Sequence, residues 1–118
     1  MKRLFSAVGV AMLMLVAAGT LFAHDDVTIV GYISDSMCGL DHSDMQRKHG
    51  GIAQYSTAVC TKDCVEGGAK YVLADTVGNK TYNIENQKKV AGYAGQRVQI
   101  VGDLKGDKID VEKIRLMP

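Results

Sequence analysis

The sequence predicts one small, mainly β domain with a little helix, and three observations carry that prediction. Short stretches rich in Val, Ile, Tyr and Thr alternate apolar and polar residues with a period of two. Turn signals, Gly78-Asn79 and Lys105-Gly106-Asp107 among them, punctuate those stretches. Two segments, residues 58–66 and 86–94, place their apolar residues at helical spacing instead.

Residues 27–35 read as the first strand, with Val27, Ile29, Gly31 and Ile33 on one face and Thr28, Val30 and Tyr32 on the other. Both faces carry apolar residues, which suits a long strand covered in part on each side. Residues 36–51 break the β pattern with Gly, Asp and Ser, and a helical turn is expected at residues 43–48. Ser56 or Thr57 can cap a helix at residues 58–66, and Gly67-Gly68 stops it. Residues 70–75 form the second strand and residues 80–85 the third, with Tyr82 and Ile84 sharing a face. Residues 86–94 make a short helix whose apolar stripe is Val90, Tyr93 and Ala94, and Gly95 suits the position after its end. Residues 97–104 alternate, with Val98, Ile100, Gly102 and Leu104 pointing one way. Residues 108–117 close the domain. Ile109 and Val111 share a face but Ile114 and Leu116 have the opposite parity, so a bulge near Glu112-Lys113 is expected to restore the phase.

Five strands with one short helix between the third and fourth match the arrangement of an OB-like barrel, here with a helical Cys/His insert at residues 36–68 between strands one and two. Closure protects strand edges, which a small domain needs. The alternative is an open antiparallel sheet with both helices on one face.

The N-terminus has the layout of a secretory signal peptide: Lys2 and Arg3, an uncharged run at residues 4–18, then Ala23 as a small residue at a cleavage point. A signal segment at 1–23 and a single domain at 24–118 follow, with a periplasmic or secreted location. The competing reading is an uncleaved anchor, since the apolar run approaches the roughly 20 residues that span a bilayer. No Cys stands near Ala23 to carry a lipid. Losing Lys2 and Arg3 leaves 12 basic against 13 acidic residues. Such a balance gives no strong pull toward nucleic acid or, after cleavage, toward an anionic membrane surface.

Chemistry concentrates in the insert. Cys38 and His42 lie in its Gly/Asp-containing first half, and Cys60 and Cys64 fall on one face of the expected helix. Cys38, His42, Cys60 and Cys64 form a Cys3His set of the kind that takes a soft metal, Zn2+ or Cu+. Asp35, Asp41 or Asp63 can orient His42. Met37, Met45 and His49 lie nearby, and thioethers would tilt the preference toward Cu+. The plainer use of Met37 and His49 is packing and solvation, while Met45 is left open. Two alternatives stand beside the metal. One is a structural or interaction module stapled by a disulfide, Cys38 to Cys60 or to Cys64, with one cysteine to spare. The other is a thiol-redox protein in which Cys60, in the first turn of its helix and near Lys62, has a lowered pKa. A mature terminus at His24 could chelate Cu2+, although a solvated terminal histidine is the simpler reading. No phosphate loop, serine elbow or zinc-protease helix occurs, so an enzyme is the less favoured class. Tyr32, Tyr71 and Tyr82 could stack on a sugar, but core or half-buried roles suit them better.

The stretch from Gly31 through Ser34-Asp35-Ser36-Met37-Cys38-Gly39, then His42, then Cys60-Thr61-Lys62-Asp63-Cys64-Val65 and Gly68 to Leu73, resembles a family of small secreted bacterial proteins of uncharacterised function. The stretch Tyr93 to Gly102 resembles the fourth strand of bacterial OB-like domains. Together these cover nearly all of the expected mature chain. The resemblance implies export and the Cys/His cluster, and it implies no reaction.

Overall fold

The structure, a computed structural model, describes residues 26–118. The expected signal segment and His24 lie outside the described residues. Strand β1 (Asp26–Asp35) is followed by helices α1 (Ser43–Lys48) and α2 (Thr57–Glu66), strands β2 (Tyr71–Asp75) and β3 (Lys80–Ile84), helix α3 (Gln87–Val90) with a 3-10 turn (Ala91–Tyr93), and strands β4 (Arg97–Lys105) and β5 (Lys108–Leu116). The five strands close into a ring in the order β1-β2-β3-β5-β4.

The long β1 makes that closure work. Its first part pairs antiparallel with β4, from Asp26 opposite Asp103 to Tyr32 opposite Arg97. Its last part pairs with β2, from Tyr32 opposite Ala74 to Asp35 opposite Tyr71. The ring shuts through two parallel pairs, Asn83 with Lys108 and Ile84 with Ile109. The alternating residues converge inside: Ile33, Leu73, Ile84, Val90, Val98, Ile100, Ile109 and Val111 form the main core, with Tyr71, Tyr82 and Tyr93 packed against it. A bulge falls where expected. Val101 pairs with Lys113 but Gly102 with Val111, so Glu112 is the extra residue on β5. Ile114 packs against the core as the restored phase predicts, whereas Leu116, at the last pair opposite Val98, is exposed.

The helix expected at residues 86–94 is shorter than its apolar stripe suggests. Its final residues are drawn toward β1: Gly95 N–H donates to Ile33 C=O at 2.7 Å, and Ile33 N–H donates to Gln96 C=O at 3.1 Å. Backbone groups bound across to a strand cannot also extend a helix. Val90 and Ala94 are nonetheless buried as the stripe requires.

Helix α2 starts at Ser56, whose side chain accepts from Val59 N–H at 3.3 Å. It sits close against the turn before β4. A Cβ at Gly95, where φ is +73°, would lie 2.5 Å from the Ala58 backbone. Glycine is the residue that allows both the left-handed conformation and the close approach. Cys60 and Cys64 on the buried face of α2 form, with Tyr55 just before the helix, a second, smaller apolar cluster on which Cys38, Met45 and Ala69 pack.

Candidate metal centre

The site is built where β1 runs out. Asp35 is the last residue of that strand and is fully buried. Its Oδ1 accepts from the backbone N–H groups of Met37 at 3.0 Å and Cys38 at 2.9 Å. Gly39 N–H returns to Asp35 C=O at 2.8 Å, and Gly39 takes φ of +59°, which favours glycine. Ser36 fastens the turn to β2, with its N–H donating to Lys70 C=O at 2.8 Å and its hydroxyl accepting from Lys70 N–H at 3.0 Å. This tight turn aims the Cys38 side chain toward α2.

One orienting group defines His42. Ser34 Oγ lies 2.6 Å from Gly39 C=O and 2.8 Å from His42 Nε2. A carbonyl can only accept, so the serine hydroxyl donates to it and accepts from the imidazole. His42 therefore carries its proton on Nε2 and presents a lone pair at Nδ1. That Nδ1 faces Cys60 Sγ at 3.2 Å and Asp35 Oδ2 at 3.8 Å. Burial holds His42 below the ordinary histidine pKa, against the opposing pull of Asp35 and Asp41. The neutral imidazole so favoured is the form that binds metals.

Asp35, Cys38, His42 and Cys60 each place one donor atom within 4.8 Å of all the others. Three of the four predicted ligands are in this set. The fourth, Cys64, is buried one turn along α2 in the cluster shared with Cys60, and its electrostatic neighbours include Asp35, Cys38 and Cys60. The donor that sequence reasoning assigned only an orienting part is Asp35. Among the described residues, its Oδ2 is one of two fully buried side-chain oxygens with no hydrogen-bond partner. The other, Thr61 Oγ1, is a hydroxyl, which costs less to leave unpaired than a carboxyl oxygen. Asp41 and Asp63, the other expected orienters, are engaged elsewhere: Asp41 accepts from Ser43 N–H and Asp63 from the Tyr55 hydroxyl.

The disulfide considered from the sequence is not formed. All three cysteines are free, and Cys38 Sγ stands 3.9 Å from Cys60 Sγ, far beyond the roughly 2.05 Å of a bond. Nor is the Cys60 thiol acidified as redox chemistry would require. Its place in the first turns of α2 is outweighed by burial and by the adjacent Cys38, which push its pKa up to about 12. Burial likewise raises the Cys64 thiol. Of the neighbouring residues, Met37 is exposed, His49 stacks on Tyr55 with ring centroids 4.2 Å apart, and Met45 packs against the sulfur cluster. A cavity of about 230 Å³ opens beside His42, lined by Tyr32, Leu40, Gln46 and Thr57 among others. Larger concavities exist, but that of about 590 Å³ lies on the outer face of β4 and β5 with no thiol or imidazole in its lining.

Comparisons with protein-family models, curated proteins and solved structures return no match to this chain.

Proposed function

We propose that this chain is an exported small domain with an OB-like ring that holds a soft metal ion, Zn2+ or Cu+, between the end of β1 and the buried face of α2. Its role is structural or metal-handling. The observation that carries this reading is Asp35 Oδ2, a fully buried carboxyl oxygen without a hydrogen-bond partner, set among two thiols and an imidazole nitrogen. A buried polar atom left so is costly, and a cation satisfies it. The spacing supports the same reading. Bond lengths of ~2.0–2.3 Å at tetrahedral zinc imply donor separations of roughly 3.3–3.8 Å. Three of the six donor separations here are 3.2, 3.8 and 3.9 Å, and all six are within 4.8 Å. The Ser34–His42 contact is the kind of outer hydrogen bond that fixes a metal-binding imidazole. Export rests on the charged, then apolar, then small-residue order of the first 23 residues.

The test is metal content and thiol titration on the exported protein, prepared without oxygen. About one equivalent of metal is expected, lost in Cys60→Ser. Protein that stays metal-free after equilibration with both Zn2+ and Cu+ would overturn the reading. An N-terminus at His24, read by mass, is the expected sign of cleavage, and a retained segment 1–23 on exported protein would refute it.

A further inference from the structure

We infer that the pocket contains two overlapping donor sets that share Cys38 and Cys60: a mixed set completed by Asp35 and His42 that selects Zn2+, and an all-sulfur set completed by Cys64 that selects Cu+. The inference rests on the metal reading above and assigns each ion its own residues. Four donor side chains gather within 4.8 Å, and a fifth, Cys64, adjoins them in the cluster it shares with Cys60, which gives one donor more than a four-coordinate site uses. They divide by element. Asp35 and His42 come from the end of β1 and the turn before α1, and their oxygen and nitrogen face Cys60 Sγ and each other. Cys60 and Cys64 are one turn apart on the buried side of α2, and Cys38 and Met45 pack on the same cluster.

The chemistry of the two ions follows this division. Zn2+ binds oxygen, nitrogen and sulfur donors in a tetrahedron. The mixed set is already gathered within 4.8 Å, so it needs little rearrangement, and the ion would satisfy the unpartnered Asp35 oxygen. Cu+ is softer, prefers thiolate and thioether donors, and gains little from a carboxyl oxygen. Cys64 supplies the third sulfur, with Met45 close at hand. In this division Asp35 and Cys64 set the specificity, while Cys38 and Cys60 serve either ion.

The experiment titrates wild type, Asp35→Asn and Cys64→Ser with Zn2+, and separately with Cu+ delivered without oxygen as its acetonitrile complex, each against a competing chelator. Asp35→Asn is expected to lower Zn2+ affinity relative to Cu+ by more than about 100-fold, beyond what loss of an outer hydrogen bond gives. Cys64→Ser is expected to do the reverse. The ion that each variant keeps reports that its fold is intact. X-ray absorption of the wild-type protein gives an independent readout: two sulfur and two lighter neighbours around zinc, sulfur alone around copper. Equal loss of both ions in both variants, three sulfurs around zinc, or nitrogen and oxygen around copper would each overturn the division while leaving a metal site standing. Failure of the wild-type protein to bind either ion would overturn the metal reading itself.

Discussion

Replacing Ser34 by alanine removes one oxygen and should reach the metal through His42. In the folded protein Ser34 Oγ accepts from His42 Nε2–H at 2.8 Å and donates to Gly39 C=O at 2.6 Å. Gly39 is only partly buried, so water can replace the second bond. His42 is buried, and its Nε2–H would lose its acceptor. An unpaired buried donor costs about 1–3 kcal/mol, which is the expected loss of stability in the metal-free protein by urea unfolding. The imidazole would also lose the contact that keeps its proton on Nε2 and its lone pair at Nδ1 beside Cys60. Loss of such an outer partner typically weakens metal binding by about 10–100-fold, or roughly 1.4–2.7 kcal/mol, read by Zn2+ competition. Ser34→Thr restores the hydroxyl but adds a methyl group at a fully buried position. We expect it to recover metal affinity while remaining less stable than wild type, which separates positioning from packing. Wild-type Zn2+ affinity in Ser34→Ala, or affinity in Ser34→Thr no better than in Ser34→Ala, would refute the assignment of Nδ1 as the metal-facing nitrogen.

Three further outcomes follow from the same geometry. Burial disfavours the charged form of His42, so the unfolded chain takes up its proton first as pH falls below about 6.5, and metal-free stability declines from there; His42→Gln should flatten this part of the urea-midpoint profile, and parallel profiles would sink the attribution. Cys60 is pushed from 9.0 up to about 12, so its neutral form is a stabilising feature that is complete below pH 9 and lost as pH rises toward 12. Peptide mapping after brief iodoacetamide treatment at neutral pH should accordingly find partly exposed Cys38 modified well before Cys60, and equal rates would contradict the buried, protonated thiol. Gly95→Ala places a Cβ 2.5 Å from Ala58 backbone atoms at a left-handed φ. Overpacking of about 1–3 kcal/mol and a left-handed penalty of about 1–2 kcal/mol predict a stability loss of roughly 2–5 kcal/mol, and a loss under about 0.5 kcal/mol would show that α2 does not depend on this close approach.

The elements of this fold were legible because local and tertiary preferences agree. Alternation along residues 97–104 matches a strand whose Val98, Ile100 and Gly102 are buried in the ring, and the parity break in β5 places its bulge near Glu112-Lys113, where the pairing makes Glu112 the extra residue. Ser56 or Thr57 marked the start of α2 because a hydroxyl that can accept an orphan amide is a local property, and the fold uses Ser56. Two features escaped for one physical reason. The C-terminal end of the helix at 86–94 yields to hydrogen bonds with Ile33, and Leu116 is exposed although its parity matches Ile114. Both depend on what lies across the sheet, which periodicity within a segment does not encode.

The candidate site shows the same boundary at the level of single side chains. Thiol and imidazole chemistry singles out Cys38, His42 and Cys60 from residue type and spacing, and the fold brings them together. Asp35 could not be ranked that way. As a sequence it is one of three nearby aspartates able to orient His42, and its side chain chemistry is identical to theirs. The difference is in burial and partners: Asp41 holds the amide of Ser43, Asp63 holds the Tyr55 hydroxyl, and Asp35 spends one oxygen on the turn while its other is enclosed with none. Desolvation gives that second oxygen its weight, because the same carboxyl at the surface would be satisfied by water. The stretch Ser34-Asp35-Ser36-Met37-Cys38-Gly39 thus acts as one unit, in which Ser34 orients the imidazole, Asp35 folds the turn and offers a donor, and Gly39 lets the chain reverse. A replacement that keeps the backbone of that turn but alters the free oxygen, such as Asp35→Asn, therefore probes the metal chemistry, whereas most other changes within it disturb the turn as well.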